Sequence, residues 1–273
     1  MRRFEVGGVE IGGPRLFVIA GPCVVESADA CVEIAAHVKA VCGRLGLPYV
    51  FKASYRKANR SSGASFAGPP VAEALGALER VKRETGVPVL TDVHETGEVR
   101  DAAAVADCLQ IPAFLSRQTE LIEAAARSGR AVNIKKGQFL APDDVKLAID
   151  KATAAGAERV LVTERGTSFG YHDLVVDLRG IVIMKRFGWP VVYDATHSLQ
   201  RPGGPESGGH REFAVPMMRA AVAAGADGVF FETHPDPARA RSDAATQLPL
   251  AESESFLDEA LRVHRAVSER AHA

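Results

Sequence analysis

The chain has 273 residues, with 33 Lys and Arg against 34 Asp and Glu and a formal net charge of -1. With 47% hydrophobic and 25% charged residues it has the composition of a globular protein with a full core, which excludes a disordered chain and a generic nucleic-acid-binding surface. No apolar run is long enough to span a membrane, the first residues lack the apolar stretch of a secretory signal, and four cysteines without C-x-x-C make no disulfide framework, so a cytoplasmic protein without membrane or nucleic-acid partners is expected.

Arg3–Val6 and Val9–Ile11 alternate around Gly7-Gly8, which predicts a β-hairpin. Short apolar runs then recur at Leu16–Gly21, Pro48–Tyr55, Val87–Val93, Cys108–Ala113, Ala131–Lys135, Arg159–Arg165, Pro190–Asp194 and Gly228–Glu232. Most are continuous rather than alternating, as strands buried on both faces should be. Helix-forming stretches lie between them, among them Ala28–Leu45, Val71–Thr85, Glu120–Ser128, Asp143–Ala155, Val175–Phe187, Glu212–Ala224 and Ser253–Arg270. Gly43, Gly86, Gly129, Gly156, Gly188 and Gly225 are the expected helix stops.

Strand, helix, glycine, strand in eight near-equal units predicts a (β/α)8 TIM barrel rather than a doubly wound open sheet. One domain is expected over residues 1–273, with the hairpin of residues 1–13 closing the barrel bottom. The long irregular stretches Ser54–Pro70 and His197–His210 follow strands and should overhang the C-terminal face, where barrel enzymes keep their sites.

Polar residues gather where the apolar runs end. Lys52, Lys57, Arg60, Arg117, Lys135, Lys136 and Arg165 would all border one mouth. Any one of them could be a solvated strand-end charge. Together they would repel one another unless an anion lay among them, which points to a pocket for phosphate and carboxylate groups. Cys23, His197 and Glu232 follow the first, seventh and eighth runs, neighbours in a closed barrel, and Asp243 lies in the loop after the eighth. A thiolate, an imidazole and two carboxylates suit Zn²⁺ or Fe²⁺, with Mn²⁺ or Co²⁺ possible, although the spacing by itself is a weak signal. Cys31 and Cys42 share one face of a helix, Cys108 opens a strand away from the mouth, and Trp189 precedes the seventh run, so packing is expected for all of them.

Several segments together resemble the 3-deoxy-D-manno-octulosonate 8-phosphate synthase family. They are Ile19-Ala-Gly-Pro-Cys23, Phe51-Lys-Ala-Ser-Tyr-Arg-Lys-Ala-Asn-Arg-Ser-Ser62, Leu109-Gln-Ile-Pro-Ala113, Asn133-Ile-Lys-Lys-Gly-Gln138, Asp194-Ala-Thr-His-Ser198 and Phe231-Glu-Thr-His-Pro-Asp-Pro237. They run in order through nearly the whole chain. The resemblance implies condensation of phosphoenolpyruvate with D-arabinose 5-phosphate by a homotetrameric barrel, on the route to lipopolysaccharide. It implies a phosphoenolpyruvate pocket of Lys52, Ser54, Lys57, Gln110, the Ala113 backbone, Lys135 and Arg165, and a pentose phosphate grip of Asn59, Arg60 and Ser61. Asp92 and Arg117 would belong to the same rim, and Ser207 to the loop that helps cover the sugar. Lys52, Lys57, Asp92, Lys135, Arg165 and His197 would take part in the chemistry.

Cys23, His197, Glu232 and Asp243 match the ligands of the metal-dependent branch; Asn usually replaces that Cys in the metal-independent one. The loop Arg201–Gly209 is shorter than the family's usual segment. The related heptulosonate synthases typically carry Lys-Pro-Arg-Thr where this chain has Lys57-Ala-Asn59-Arg60-Ser61. They remain the nearest rival, followed by a sialic-acid-type synthase and a non-catalytic sugar-phosphate-binding barrel.

Overall fold

A computed structural model describes residues 1–58, 66–202 and 208–270. Eight parallel strands form the barrel: β1 Phe17–Gly21, β2 Tyr49–Lys52, β3 Val89–Asp92, β4 Cys108–Ile111, β5 Ala131–Lys135, β6 Val160–Glu164, β7 Val191–Asp194 and β8 Gly228–His234. Each pairs with its sequence neighbours, and β8 pairs with both β1 and β7, which closes the ring. The eight apolar runs thus became the eight strands, six of them trimmed at their ends, Ala131–Lys135 unchanged and the last extended to His234.

Helices α1 Ala28–Leu45, α2 Val71–Thr85, α3 Val99–Val105, α4 Thr119–Arg127, α5 Val145–Ala154, α6 Arg179–Lys185, α7 Ala214–Ala223 and α8 Ser253–Arg270 surround the barrel. Three details differ from the sequence reading. Gly43 lies inside α1, which stops instead at Gly46 with φ +70°. The sixth helix starts at Arg179 rather than Val175, because Leu174–Val175 pairs with Thr167–Ser168 in a small hairpin and Asp177 accepts the Arg179 N–H. Residues Arg211–Phe213 form a 3-10 turn before α7. No helix among the described residues is long and apolar enough to cross a membrane.

Strand alternation sorts the side chains into two cores. Val18, Tyr49, Phe51, Val89, Leu109, Val132, Val162 and Tyr193 point outward and pack with the helices. Phe17, Ile19, Val50, Leu90, Cys108, Ala131, Leu161, Val192 and Phe230 point inward and fill the lower barrel. The N-terminal hairpin, Phe4–Val6 with Val9–Ile11, inserts Val6 and Ile11 into that inner core and so closes the bottom. Its turn at Gly7-Gly8 runs at positive φ, and a Cβ on Gly7 would press on the Pro88 ring, so glycine is required on both counts. Trp189 is buried there, edge-on to Phe4 and under the Arg2 guanidinium. The four cysteines are free and buried. Burial pushes the thiols of Cys31 and Cys42 up to about 12, consistent with packing roles.

Candidate active site

One step above the inner apolar layer, the same alternation turns polar. Lys52, Asp92, Gln110, Asn133, Lys135, Thr163, Arg165, Asp194 and Glu232 are in phase with the inward residues and are all buried. At the lower edge of this layer Asn133 donates to Gln110 Oε1 at 3.0 Å, and Thr163 donates to Asn133 Oδ1 at 2.7 Å. Lys136 and Glu164 are out of phase. Lys136 Nζ faces Glu164 and donates to the carbonyls of Gly137 and Gly166 and to Thr167 Oγ1, so it braces the loops outside the barrel and is not part of the cation ring.

Two of the inward cations, Lys52 and Lys135, are already paired with carboxylates. Lys52 Nζ bonds Glu232 Oε1 at 2.5 Å and the Cys23 carbonyl at 3.0 Å. A Cβ on Gly21 would collide with the Lys52 carbonyl, so glycine lets β1 and β2 approach closely at the mouth. Lys135 Nζ lies 2.6 Å from Asp194 Oδ2, 3.2 Å from His197 Nδ1 and 4.2 Å above the Phe230 ring. Burial, reinforced by the charge of Lys52, pulls the Lys135 ammonium below its ordinary range despite Asp194. Arg165 donates to Gln200 at 2.9 Å and lies in the field of Asp194, Glu164 and Asp243, while its Nη1 has no partner among the described residues. Burial disfavours the Lys57 charge, but Cys23, Glu232, Asp92 and Asp243 together outweigh it and hold the group protonated.

The mouth is therefore a mosaic in which Lys52, Lys57, Lys135 and Arg165 face Asp92, Asp194, Glu232 and Asp243. The self-repelling ring of cations expected from the sequence is replaced by one in which Glu232 anchors Lys52 and Asp194 anchors Lys135. Other polar atoms are left open. Ser54 Oγ, Asp92 Oδ1 and Glu232 Oε2 are buried without hydrogen-bond partners among the described residues.

Three of the four expected metal ligands form one compact group, with His197 beside two of them. The ligand atoms of Cys23, Glu232 and Asp243 all lie within 4.8 Å of one another. His197 Nε2 is 3.4 Å from Glu232 Oε1 and 3.8 Å from Asp243 Oδ2. The Cys23 thiol is 3.1 Å from Asp243 Oδ2 and 2.9 Å from Ser242 Oγ. Ligands about 2.0–2.3 Å from a common tetrahedral ion lie between three and four ångströms apart, a range that the His197–Glu232, His197–Asp243 and Cys23–Asp243 separations meet. His197 Nδ1 meets Asp194 Oδ2 at 2.8 Å, the carboxylate–imidazole support that orients a ligating histidine. Burial, and then the charges of Asp243 and Glu232, push the Cys23 thiol up; a cation bound among them would remove that penalty. The unpartnered Glu232 Oε2 is a further donor. The side chains present fit a divalent cation.

The other expected site residues divide. Ala113 is buried at the start of a 3-10 turn that follows β4. Arg117 is exposed and borders a groove between α4 and α5 with Glu123, Arg127 and Lys151, outside the inward ring, because it follows the turn rather than the strand. Asn59, Arg60, Ser61 and Ser207 lie outside the described residues. Asn133 and Asp194 stand at strand ends and so on the rim in the sequence, without a role assigned to either, whereas Ser242 carries no such signal.

The DAHP synthetase I family model matches residues 4–269. A 2-dehydro-3-deoxyphosphooctonate aldolase of Syntrophobacter fumaroxidans is 52% identical over 269 residues, 98% of this chain and 93% of that protein. One of Koribacter versatilis is 52% identical over 97% of both chains, and one of Acidithiobacillus ferrooxidans is 54% identical over 88% of this chain and 86% of its own. The chain belongs to the DAHP synthetase I family, among its 2-dehydro-3-deoxyphosphooctonate aldolases.

Proposed function

We propose that the chain condenses phosphoenolpyruvate with D-arabinose 5-phosphate and water, releasing 3-deoxy-D-manno-octulosonate 8-phosphate and inorganic phosphate. The observation that carries this reading is the convergence of Lys52, Lys135 and Arg165, from β2, β5 and the end of β6, on one buried mouth with unpartnered donors and acceptors. Names of relatives at about half identity supply the eight-carbon product.

In this reading Lys57, Lys135 and Arg165 bind the phosphate and carboxylate of phosphoenolpyruvate, with Ser54, Gln110 and the Ala113 backbone beside them. Lys52 is anchored by Glu232 and the Cys23 carbonyl and has one N–H left for the same anion. Asn59, Arg60 and Ser61 take the phosphate of the sugar, Ser207 belongs to its cover, and exposed Arg117 is left to the outer edge. Two anionic substrates meet only where cations screen both, and the fixed Lys–carboxylate pairs supply that field without rearrangement. The carbon–carbon bond forms between C3 of the enol phosphate and the sugar aldehyde carbon, whose oxygen takes a proton. Water adds to C2, and the C2–O bond breaks to release phosphate. No covalent protein nucleophile is required, so Cys23 serves as a ligand.

Cys23, His197, Glu232 and Asp243 would hold a divalent cation, Zn²⁺, Fe²⁺, Mn²⁺ or Co²⁺. When bound it would supply Lewis-acid polarisation and tie together the loops after β1, β7 and β8. The same reading places the enzyme in the cytoplasm, as a homotetramer on the route to lipopolysaccharide.

The test is phosphate release from phosphoenolpyruvate with a panel of acceptor sugars, run with chelator and again after metal is restored. Turnover with arabinose 5-phosphate, lost on chelation and regained on add-back, is expected. A preference for erythrose 4-phosphate would make the chain a heptulosonate synthase. No release with any acceptor would leave only a binding barrel, and full activity in verified metal-free protein would remove the four-ligand assignment.

A further inference from the structure

Beside the metal group and the cation ring, a second network grows from the end of β3. Asp92 ends that strand in the inward phase, and its Oδ2 lies 3.1 Å from His94 Nε2. Its Oδ1 is buried without a hydrogen-bond partner among the described residues. Burial alone would raise the Asp92 carboxyl, but His94, Lys57 and Lys52 hold it well below the usual carboxylate range, so both oxygens are acceptors.

His94 is itself held from behind. Its backbone N–H donates to Glu98 Oε2 at 3.0 Å and its ring meets Tyr55 edge-on at 5.7 Å, while Nδ1, 3.5 Å from the same oxygen, makes no hydrogen bond among the described residues. Glu98 also accepts from the Tyr55 hydroxyl at 2.6 Å and from Arg56 Nη2 at 2.5 Å. Tyr55 and Arg56 lie between Ser54 and Lys57. Glu98 thus bolts the segment after β2 to the segment after β3, and His94 carries that fixed geometry to Asp92.

We propose that His94 is a positioning residue for the condensation: backed by Glu98, it holds Asp92 so that Oδ1 faces the reacting groups. The argument is one of donors and acceptors. A carboxylate with one oxygen bound to a fixed N–H has its plane set, and its second oxygen can only accept. Phosphoenolpyruvate is fully anionic near neutral pH and offers no donor, whereas a pentose phosphate offers several hydroxyls. Of the two organic substrates, an oriented Asp92 therefore acts on the acceptor sugar, and disorienting it costs the sugar more than the enol phosphate. This rests on the reading that Asp92 belongs to the substrate mouth.

Steady-state kinetics of three variants, each checked for folding by thermal melting, test it. His94→Phe keeps the ring and the Tyr55 contact but removes both nitrogens. His94→Gln places an amide nitrogen near the position of Nε2. Asp92→Asn is the control. A lost hydrogen bond to a charged group corresponds to about a 10–100-fold loss, so His94→Phe is expected to lower kcat/KM for arabinose 5-phosphate by that factor. The KM for phosphoenolpyruvate should barely move, and His94→Gln should recover most of the loss.

Wild-type kinetics in folded His94→Phe, or a His94→Gln enzyme no better than His94→Phe, would overturn the proposal. If His94→Phe does not fold, His94→Asn decides, since its amide is too short to reach Asp92; kinetics equal to His94→Gln would count against the proposal. Full activity in Asp92→Asn would instead remove Asp92 from the mouth. An inactive Asp92→Asn beside an unimpaired His94→Phe would defeat only the inference about His94.

Discussion

The two ends of the barrel treat buried polar groups in opposite ways. At the N-terminal end the same device appears twice. Lys82 from α2 donates to Asp107 and to the Val105 carbonyl, while Asp107 Oδ2 accepts the Val89 N–H at the start of β3. Lys185 from α6 donates to Asp227 and to the Gly225 carbonyl, while Asp227 Oδ2 accepts the Val191 N–H at the start of β7. Below the strands the hairpin seals an apolar layer. At the C-terminal end the reverse holds. Among the described residues, every buried side-chain nitrogen or oxygen without a partner lies in the C-terminal half of a strand or in a segment between a strand and the following helix, from Ser54 to Gln247.

An unmade buried hydrogen bond costs about 1–3 kcal/mol, so these open valences are concentrated rather than scattered. The lower end has its partners within the chain and serves stability. The upper end leaves its open valences at the face where the proposed substrates would bind.

That contrast can be broken or sharpened by experiment. The largest effect is expected at the top. Lys135→Ala should lower kcat by about 10²–10³-fold, as for other fixed charges in buried active sites; near-normal turnover would take Lys135 out of the chemistry. At the bottom, Ile11→Ala should destabilise by about 2–5 kcal/mol in a urea titration, because Ile11 is fully buried under the barrel. Its kcat at a permissive temperature should stay at the wild-type level. A loss of turnover larger than the loss of folded protein would show that the hairpin is not confined to stability.

A smaller effect is expected from Lys185→Met, which breaks a half-exposed pair with Asp227; a loss of about 1 kcal/mol or less with unchanged kinetics is anticipated. The smallest concerns acid. Asp92 is held below its unfolded-state value, so its contribution to stability is complete above the ordinary carboxylate range of about 4 and declines as pH falls through it. Urea midpoints measured with chelator present from pH 7 downward should therefore drop less steeply in Asp92→Asn than in the parent; an identical slope would mean that Asp92 titrates normally.

Much of the architecture was legible along the chain because it is encoded locally. Strand runs buried on both faces are continuous in apolar residues, helices cap at glycine, and Gly7-Gly8 turns the hairpin. The boundaries that were misread, at Gly43 and Val175, are places where a neighbouring residue competed for the same role: Gly46 as the cap and Thr167–Ser168 as a strand partner. The site was half legible. The strand ends named in the sequence bring Lys52, Lys135 and Arg165 to one mouth, with Cys23, Glu232 and Asp243 grouped beside them. Lys136 and Arg117 were grouped with the ring because a list of strand-end charges carries no phase.

The sequence by itself determined the order of elements, the chemistry available at each strand end and the family to which the chain belongs. It did so because hydrophobic periodicity, turn residues and motif identity are properties of short segments. Only the tertiary structure decided which of those side chains point inward and which acid each cation meets. Lys135 with Asp194, Lys52 with Glu232 and Cys23 with Asp243 are pairs that barrel closure creates between residues far apart along the chain. Their geometry depends on strand register and on the β7–β8–β1 pairings, which no single segment encodes.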